Sequence, residues 1–325
     1  MTGASREAGG PYFDDLAVGQ VFAAAPGCTL TEGRAAQHQA VVGDRWRLAL
    51  DDHLARDVIG SPVASPTLVW NVAIGQSTLA TQRVRANLFY RRLALLRQPL
   101  IGDTLRTTTT VVGLRENTRR EGRAPTGLAA LHMRTVDQED RPVLDFYRCA
   151  MLPVRPGVGA TGHADDLDAI GRDQPPVDRA GLVPAWDRAA YPASPGAGPT
   201  PGDVIDVVGG DVVSSAPELA RLTLNIAAVH HDRCAGGGQR LVYGGHTIAL
   251  AASQMLRVFP DLATVLAWES CDHLAPVHEG DTLSTRITVE GVSPTAGWHV
   301  ADLRAEVAAD RERPVLDWRL SVLAP

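Results

Sequence analysis

An α+β chain made of two copies of one unit, each an apolar helix embraced by antiparallel strands, is the fold class the sequence predicts. Three observations predict it. Phrases recur in the same order at a nearly constant separation, a Gly- and Pro-rich stretch divides the copies, and each copy holds one helix apolar on every side followed by alternating strands.

The repeat comes first, because self-similarity at a long period fixes the architecture before any local reading. Gly102-Asp103-Thr104-Leu105 returns as Gly280-Asp281-Thr282-Leu283. Arg141-Pro142-Val143-Leu144-Asp145 returns as Arg313-Pro314-Val315-Leu316-Asp317, and Val18-Gly19-Gln20-Val21-Phe22 is echoed by Pro201-Gly202-Asp203-Val204-Ile205. The three separations are nearly equal, a little over half the chain. One such phrase is a common turn and strand; three in order are a duplication. The boundaries that follow are residues 1–155, a linker at 156–198 rich in Gly, Pro, Ala and Asp, and residues 199–325. The linker's composition resists regular structure, and its length suits a chain that must cross from the end of one unit to the start of its equivalent.

Within each copy the elements follow one order. Thr31 caps a helix through Glu32 and the AAQHQAVV run, and Ser215 caps its counterpart, with Pro217 in the first turn. A second helix runs from Pro66 to about Ala80 and again from Gly245 to about Val258. Both are nearly apolar all round, as a helix wrapped by a sheet must be. The segments Thr104 to Val112 and Leu283 to Val289 alternate apolar and polar residues, the pattern of an antiparallel sheet with one buried face. This is the double hot-dog arrangement.

Composition excludes several functions. At 325 residues, 45% hydrophobic and 21% charged, the chain is long enough for two cores. Its formal charge of −6 argues against a nucleic-acid partner. All 31 basic side chains are arginine, which removes Schiff-base and Walker-type lysine chemistry. The four cysteines are widely spaced, so neither a disulfide framework nor a zinc knuckle is expected, and reduced thiols suit a cytoplasmic protein. The opening MTGASREAGG lacks the apolar core of a signal peptide, and no apolar run reaches the ~20 residues of a membrane span.

The chemistry points to the second copy. Asn225 and His230 stand five positions apart just beyond a helix, and the phrase Arg240-Leu241-Val242-Tyr243-Gly244-Gly245-His246 leads into the apolar helix. The first amides of that helix have no partner within it and carry the positive end of its dipole. A thioester carbonyl that becomes an enolate needs such an oxyanion hole. A metal site is not expected, because the adjacent His230, His231 and Asp232 do not converge on one tetrahedral ion.

These phrases resemble the MaoC-like, (R)-specific enoyl-CoA hydratases. That family carries a D-x-N-P-x-H-x-D type phrase followed by a P-I-x-H-G type phrase at the start of the hot-dog helix. The chain is most similar to the mesaconyl-CoA hydratase (β-methylmalyl-CoA dehydratase) branch, through N-x4-H and R-L-[IV]-Y-G-G-H in the second half. The resemblance implies reversible hydration of an enoyl-CoA, or dehydration of a 3-hydroxyacyl-CoA, on a short branched or dicarboxylic acyl group. It implies His230 as the catalytic base and Asn225 where ordinary hydratases carry aspartate. An amide orients water or substrate but shuttles no proton, so the acid/base work falls on His230. Gly244 and Gly245 match the oxyanion hole, while Asp232, Arg240 and Tyr243 are the candidates for substrate contact. The thioester is substrate, as CoA or carrier-bound, and no further cofactor is expected. A pseudo-dimeric monomer or a homodimer would satisfy hot-dog pairing.

The first copy keeps Asp44 at the aspartate position. Ala49 replaces the histidine and Trp46 the asparagine, and Ser65-Pro66 stands where glycines are expected; this half reads as catalytically vacant, serving as a wall of the acyl tunnel. Two other readings stay open. A hot-dog thioesterase needs a carboxylate near the helix, and the helix from Gly245 carries none. An acyl-thioester-binding or inactive protein would explain the loss of the aspartate at Asn225.

Overall fold

The computed structural model describes residues 9–172, 174–194 and 198–325; the opening residues 1–8, and positions 173 and 195–197 of the expected linker, lie outside them. In the first half come β1 (Val21–Phe22), β2 (Cys28–Thr29), α1 (Glu32–Val42), α2 (Arg47–Leu50), α3 (Asp52–Ile59) and α4 (Pro66–Gln76). Strands β3 (Ala86–Leu95), β4 (Thr104–Glu116), β5 (Thr126–Val136) and β6 (Pro142–Pro153) complete it. The second half repeats the order with β7 (Val204–Asp206), β8 (Asp211–Val212), α5 (Ala216–Leu222) and α6 (Gly244–Val258). It ends in β9 (Thr264–His273), β10 (Thr282–Thr295), β11 (Trp298–Ala309) and β12 (Arg313–Ala324).

The strands form one antiparallel sheet in the order β1-β4-β5-β6-β3-β9-β12-β11-β10-β7, with β2 and β8 added on β4 and β10. The order is nearly palindromic about the β3–β9 pair, where Tyr90 faces Cys271 and Leu93 faces Trp268. The two wrapping sheets are thus fused into one. Equivalent strands even share their irregularities: the β4–β5 ladder shifts between Val111 and Gly113, and the β10–β11 ladder between Val289 and Gly291. Each bulge bends its strand so that the sheet can curl around a helix.

All of α4 is buried, as is α6 from Gly245 through Leu256, which accounts for helices without a polar face. Both are anchored alike. Gln76 donates to the Leu105 carbonyl and Gln254 to the Leu283 carbonyl, each at 2.8 Å. Where the helices meet the central strands, Trp70, Trp268 and Trp318 pack edge to face with centroids 5.0–6.1 Å apart, geometry that suits the ring quadrupoles.

Local details can be compared with expectation at three points. Thr31 does cap α1, accepting from the Arg34 amide. Ser215 instead sits at φ +56° with no capping bond, and the carboxylate of Glu279 takes the Ala216 amide in its place. The α-helical part of α4 ends at Gln76, and Ser77–Thr81 tighten into 3₁₀ geometry. Between β6 and β7 the described chain forms no helix or strand, yet it is pinned down. Leu167 buries against Leu128, Ala130 and Cys149, and Tyr191 packs on Trp298. No described helix is long and apolar enough to cross a membrane.

Candidate active site

A short, irregular loop follows α5 and carries both Asn225 and His230. The first half holds it in place. The Ile226 amide donates to Thr78 Oγ1 at 3.0 Å and the Ala228 amide to the Gln82 carbonyl at 2.9 Å. Gly75 on α4 lets the loop come this close: a Cβ there would lie 1.8 Å from the Thr223 carbonyl oxygen and 3.1 Å from the Asn225 nitrogen. His231 adds a brace from the second half, its Nε2 donating to the Asn225 carbonyl at 2.6 Å.

The loop faces a cavity of about 290 Å³ between the halves. Asn225, His230, Tyr243 and Gly244 line it from one side; Thr78, Thr81, Asn87, Tyr90 and Arg148 line it from the other. The first half is therefore a wall of the site, while its own Asp44 lies elsewhere, taken up by Ser65 Oγ and the Trp46 amide. Burial raises the Asp44 carboxyl to about 6, against the lowering effect of those donors.

His230 is 8% exposed. Its Nδ1 lies 2.7 Å from the Leu241 carbonyl oxygen, which can only accept, so Nδ1 carries the proton and Nε2 is left as a base. Burial outweighs the help of that carbonyl and pulls the imidazole down to about 4. The ordinary value of ~6.5, which would suit alternating base and acid, does not hold here. At neutral pH the ring is uncharged.

Asn225 is oriented by the same logic. Its Oδ1 accepts from the Ala227 amide at 3.0 Å, so the NH₂ is the group available to a ligand. Tyr243 precedes α6 at the cap position and makes no side-chain cap, so the first amides of the helix stay free of one. Its hydroxyl donates to the Asn71 carbonyl at 2.9 Å, and its ring lies 5.8 Å from that of His230.

Three expected residues stay outside the cavity. Gly245 serves close packing: a Cβ there would lie 2.1 Å from Asn71 Oδ1 and 2.6 Å from the Tyr243 ring. Asp232 accepts from the Cys234 amide at 2.8 Å. Arg240 is paired with Glu279 at 2.6 Å. Conversely, Arg148, Asn87 and His273 line the cavity unannounced by any motif. Each has buried polar atoms without a partner: Arg148 Nε, both amide atoms of Asn87, and His273 Nε2. Burial also pulls His273 down to about 4. An unpaired buried polar atom in a strand is the signal that marks them, and it exists only once the strands are folded together.

No protein-family model matches the chain. Its sequence is 30% identical to a β-methylmalyl-CoA dehydratase of Chloroflexus aurantiacus, over 95% of this chain and 90% of that protein. It is 27% identical to a mesaconyl-CoA hydratase of Cereibacter sphaeroides, over 92% and 89%. Among solved structures, a conserved Mycobacterium tuberculosis protein with a double hot-dog fold is 55% identical with a TM-score of 0.89, covering 97% of this chain and 98% of that one. A MaoC domain dehydratase of C. aurantiacus is 26% identical with a TM-score of 0.86, covering 99% of both chains. The chain belongs to the MaoC-like double hot-dog hydratase/dehydratase family that includes these two CoA-thioester enzymes.

Proposed function

We propose that the protein is a hydro-lyase that reversibly adds water to an α,β-unsaturated acyl-CoA at the cavity between the halves, with a short branched or dicarboxylic acyl group like those its relatives are named for. The observation that carries this is the tautomer of His230. The Leu241 carbonyl fixes the proton on Nδ1, which leaves a bare Nε2 in a cavity that also holds Asn225 and the start of α6.

His230 Nε2 takes a proton from water as the water oxygen bonds to the β-carbon. The π electrons of the alkene move toward the thioester, whose oxygen becomes the enolate oxygen. The backbone amide of Gly244, at the positive end of α6, receives that charge; Gly245 supports the turn behind it. The imidazolium then returns the proton at the α-carbon, so that one water has been added in total. Dehydration is the reverse. A protonated His230 is disfavoured by its burial, which makes the imidazolium a strong acid for that second step. The Asn225 NH₂ orients substrate or water rather than moving protons.

We assign Tyr243 to shaping the pocket, and Asp232 and Arg240 to holding the loop and the approach to α6. The chemistry needs the thioester substrate and these side chains. The pairing of two hot-dog units within one chain supports a pseudo-dimeric monomer or a dimer of such units. The reading is tested by spectrophotometric hydration of crotonyl-CoA, mesaconyl-CoA and longer enoyl-CoA esters. Turnover of a short branched or dicarboxylic member is the expected result; a folded protein that hydrates none of them overturns it.

A further inference from the structure

We propose that Arg148, with Asn87 beside it on the same cavity wall, is the specificity determinant that binds a free carboxylate on the acyl group. Arg148 projects from β6, where it pairs across the ladder with Tyr90 of β3. Its side chain is held by Thr81 Oγ1 at 2.6 Å and the Ser77 carbonyl at 3.3 Å, and its Nε has no partner. Only 3% of the residue is exposed, and among the described residues it makes no ion pair.

A guanidinium stays charged, and a buried charge without a counter-charge is costly. Arg91 and Arg304, both half-buried, follow that rule: Arg91 is paired with Asp272 at 2.7 Å and Arg304 with Asp317 at 2.7 Å. Arg148 breaks it, and the cavity it lines has no Asp or Glu among its lining residues. Tyr90, Tyr243, Cys149 and His230 are the titratable groups around it, none of them an anion at neutral pH. The missing charge is left for the ligand. The planar fork of arginine matches a carboxylate, and both amide atoms of Asn87 are unpartnered in the same wall. CoA phosphates do not fit this role, because Arg148 is inside the cavity while the exposed Arg85 offers the cation at its edge. His230 shares the cavity, so a carboxylate on the β-carbon of an enoyl group would meet Arg148 as the base meets that carbon.

Only the placement of the acyl group rests on the hydratase reading, and the test separates the two. Binding of succinyl-CoA and butyryl-CoA, which differ by carboxylate against methyl and cannot be hydrated, is measured by calorimetry on wild type, Arg148→Met and Arg148→Lys. The expected result is a preference for succinyl-CoA on the order of 100-fold in wild type, the scale of a buried charge pair. It disappears in Arg148→Met and is partly restored in Arg148→Lys. In parallel, kcat/KM is compared for mesaconyl-CoA and its neutral analogue 2-methylcrotonyl-CoA. Arg148→Met should lower the first at least ~10-fold more than the second. Equal binding of the two saturated esters by wild type overturns the proposal, with no variant needed. So does an equal loss of both turnovers in Arg148→Met, which would make the arginine a general enolate or structural group. A succinyl-CoA preference that depends on Arg148 in a protein hydrating nothing would leave the carboxylate site standing and remove the hydratase reading instead.

Discussion

The 2.7 Å contact between His230 Nδ1 and the Leu241 carbonyl oxygen ties the loop carrying Asn225 and His230 to the extended approach to α6 and fixes which ring nitrogen carries the proton. Because burial holds the ring at about 4, the neutral base is present across the neutral range. The pH profile of kcat/KM for hydration should therefore be flat from about 6 upward to mildly alkaline pH. It should fall on the acid side with a limb near 4 rather than near 6.5. A limb at 6.5 would show an imidazole in contact with water.

Asn225 is the test of what an amide contributes. Asn225→Ala removes the NH₂ facing the cavity and should lower kcat by about 10–100-fold, a loss on the scale of one transition-state hydrogen bond. The loop stays anchored by the backbone bonds to Thr78 and Gln82, so the melting temperature should change little. A variant that unfolds, or one with unchanged kcat, would contradict this role.

Gly75 couples the halves. Gly75→Ala places a methyl 1.8 Å from the Thr223 carbonyl, backbone that cannot step aside cheaply. The expected cost is about 1–3 kcal/mol of stability, read from denaturant unfolding, with a larger proportional loss of turnover as the Asn225 loop is pushed away. The effect should reach the second half's activity although the residue lies in the first.

The acid stability of the protein follows from its buried histidines. Burial lowers His38 to about 3, and His230, His246 and His273 to about 4. Between about 6.5 and 4 the unfolded chain takes up protons that the folded one refuses, so stability falls as pH drops through that window. Asp44, raised to about 6, works in the opposite direction: its folded form keeps a proton that the unfolded form has lost, so its share falls as pH rises from 3.8 to 6. Four histidines outweigh one aspartate, and the melting temperature should be lower at pH 5 than at pH 7. His246 has neither ring nitrogen partnered and stands in the first turn of α6, where the dipole opposes a cation. His246→Met should raise the melting temperature more at pH 5 than at pH 7; an equal change at both would contradict the assignment.

The duplication was legible in the sequence because a fold built twice repeats its turns: Gly102 and Gly280 both adopt positive φ before equivalent strands. The loop and the helix start were legible for a similar reason, since Asn225, His230, Tyr243 and Gly244 are close along the chain. Arg148 and Asn87 were illegible. They stand on different strands of the first half, far along the chain from each other and from His230. Only the β3–β6 register and the fusion at β3–β9 bring them to one cavity. The ion pair of Arg240 was illegible for the converse reason: its partner Glu279 lies beyond α6, and nothing local announces it. The linker's composition announced its irregular path, whereas Leu167 and Tyr191 as buried anchors depended on the sheet surface beneath them.

The central claim is that His230 is the base of an enoyl-CoA hydro-lyase whose site lies between the halves. It is tested most directly by steady-state hydration of the best enoyl-CoA substrate with wild type and His230→Ala, alongside circular dichroism to verify the fold. A fall in kcat of about 10²–10⁴-fold in a variant that remains folded is the result expected of a lost general base. An unchanged kcat in the folded variant would contradict the account.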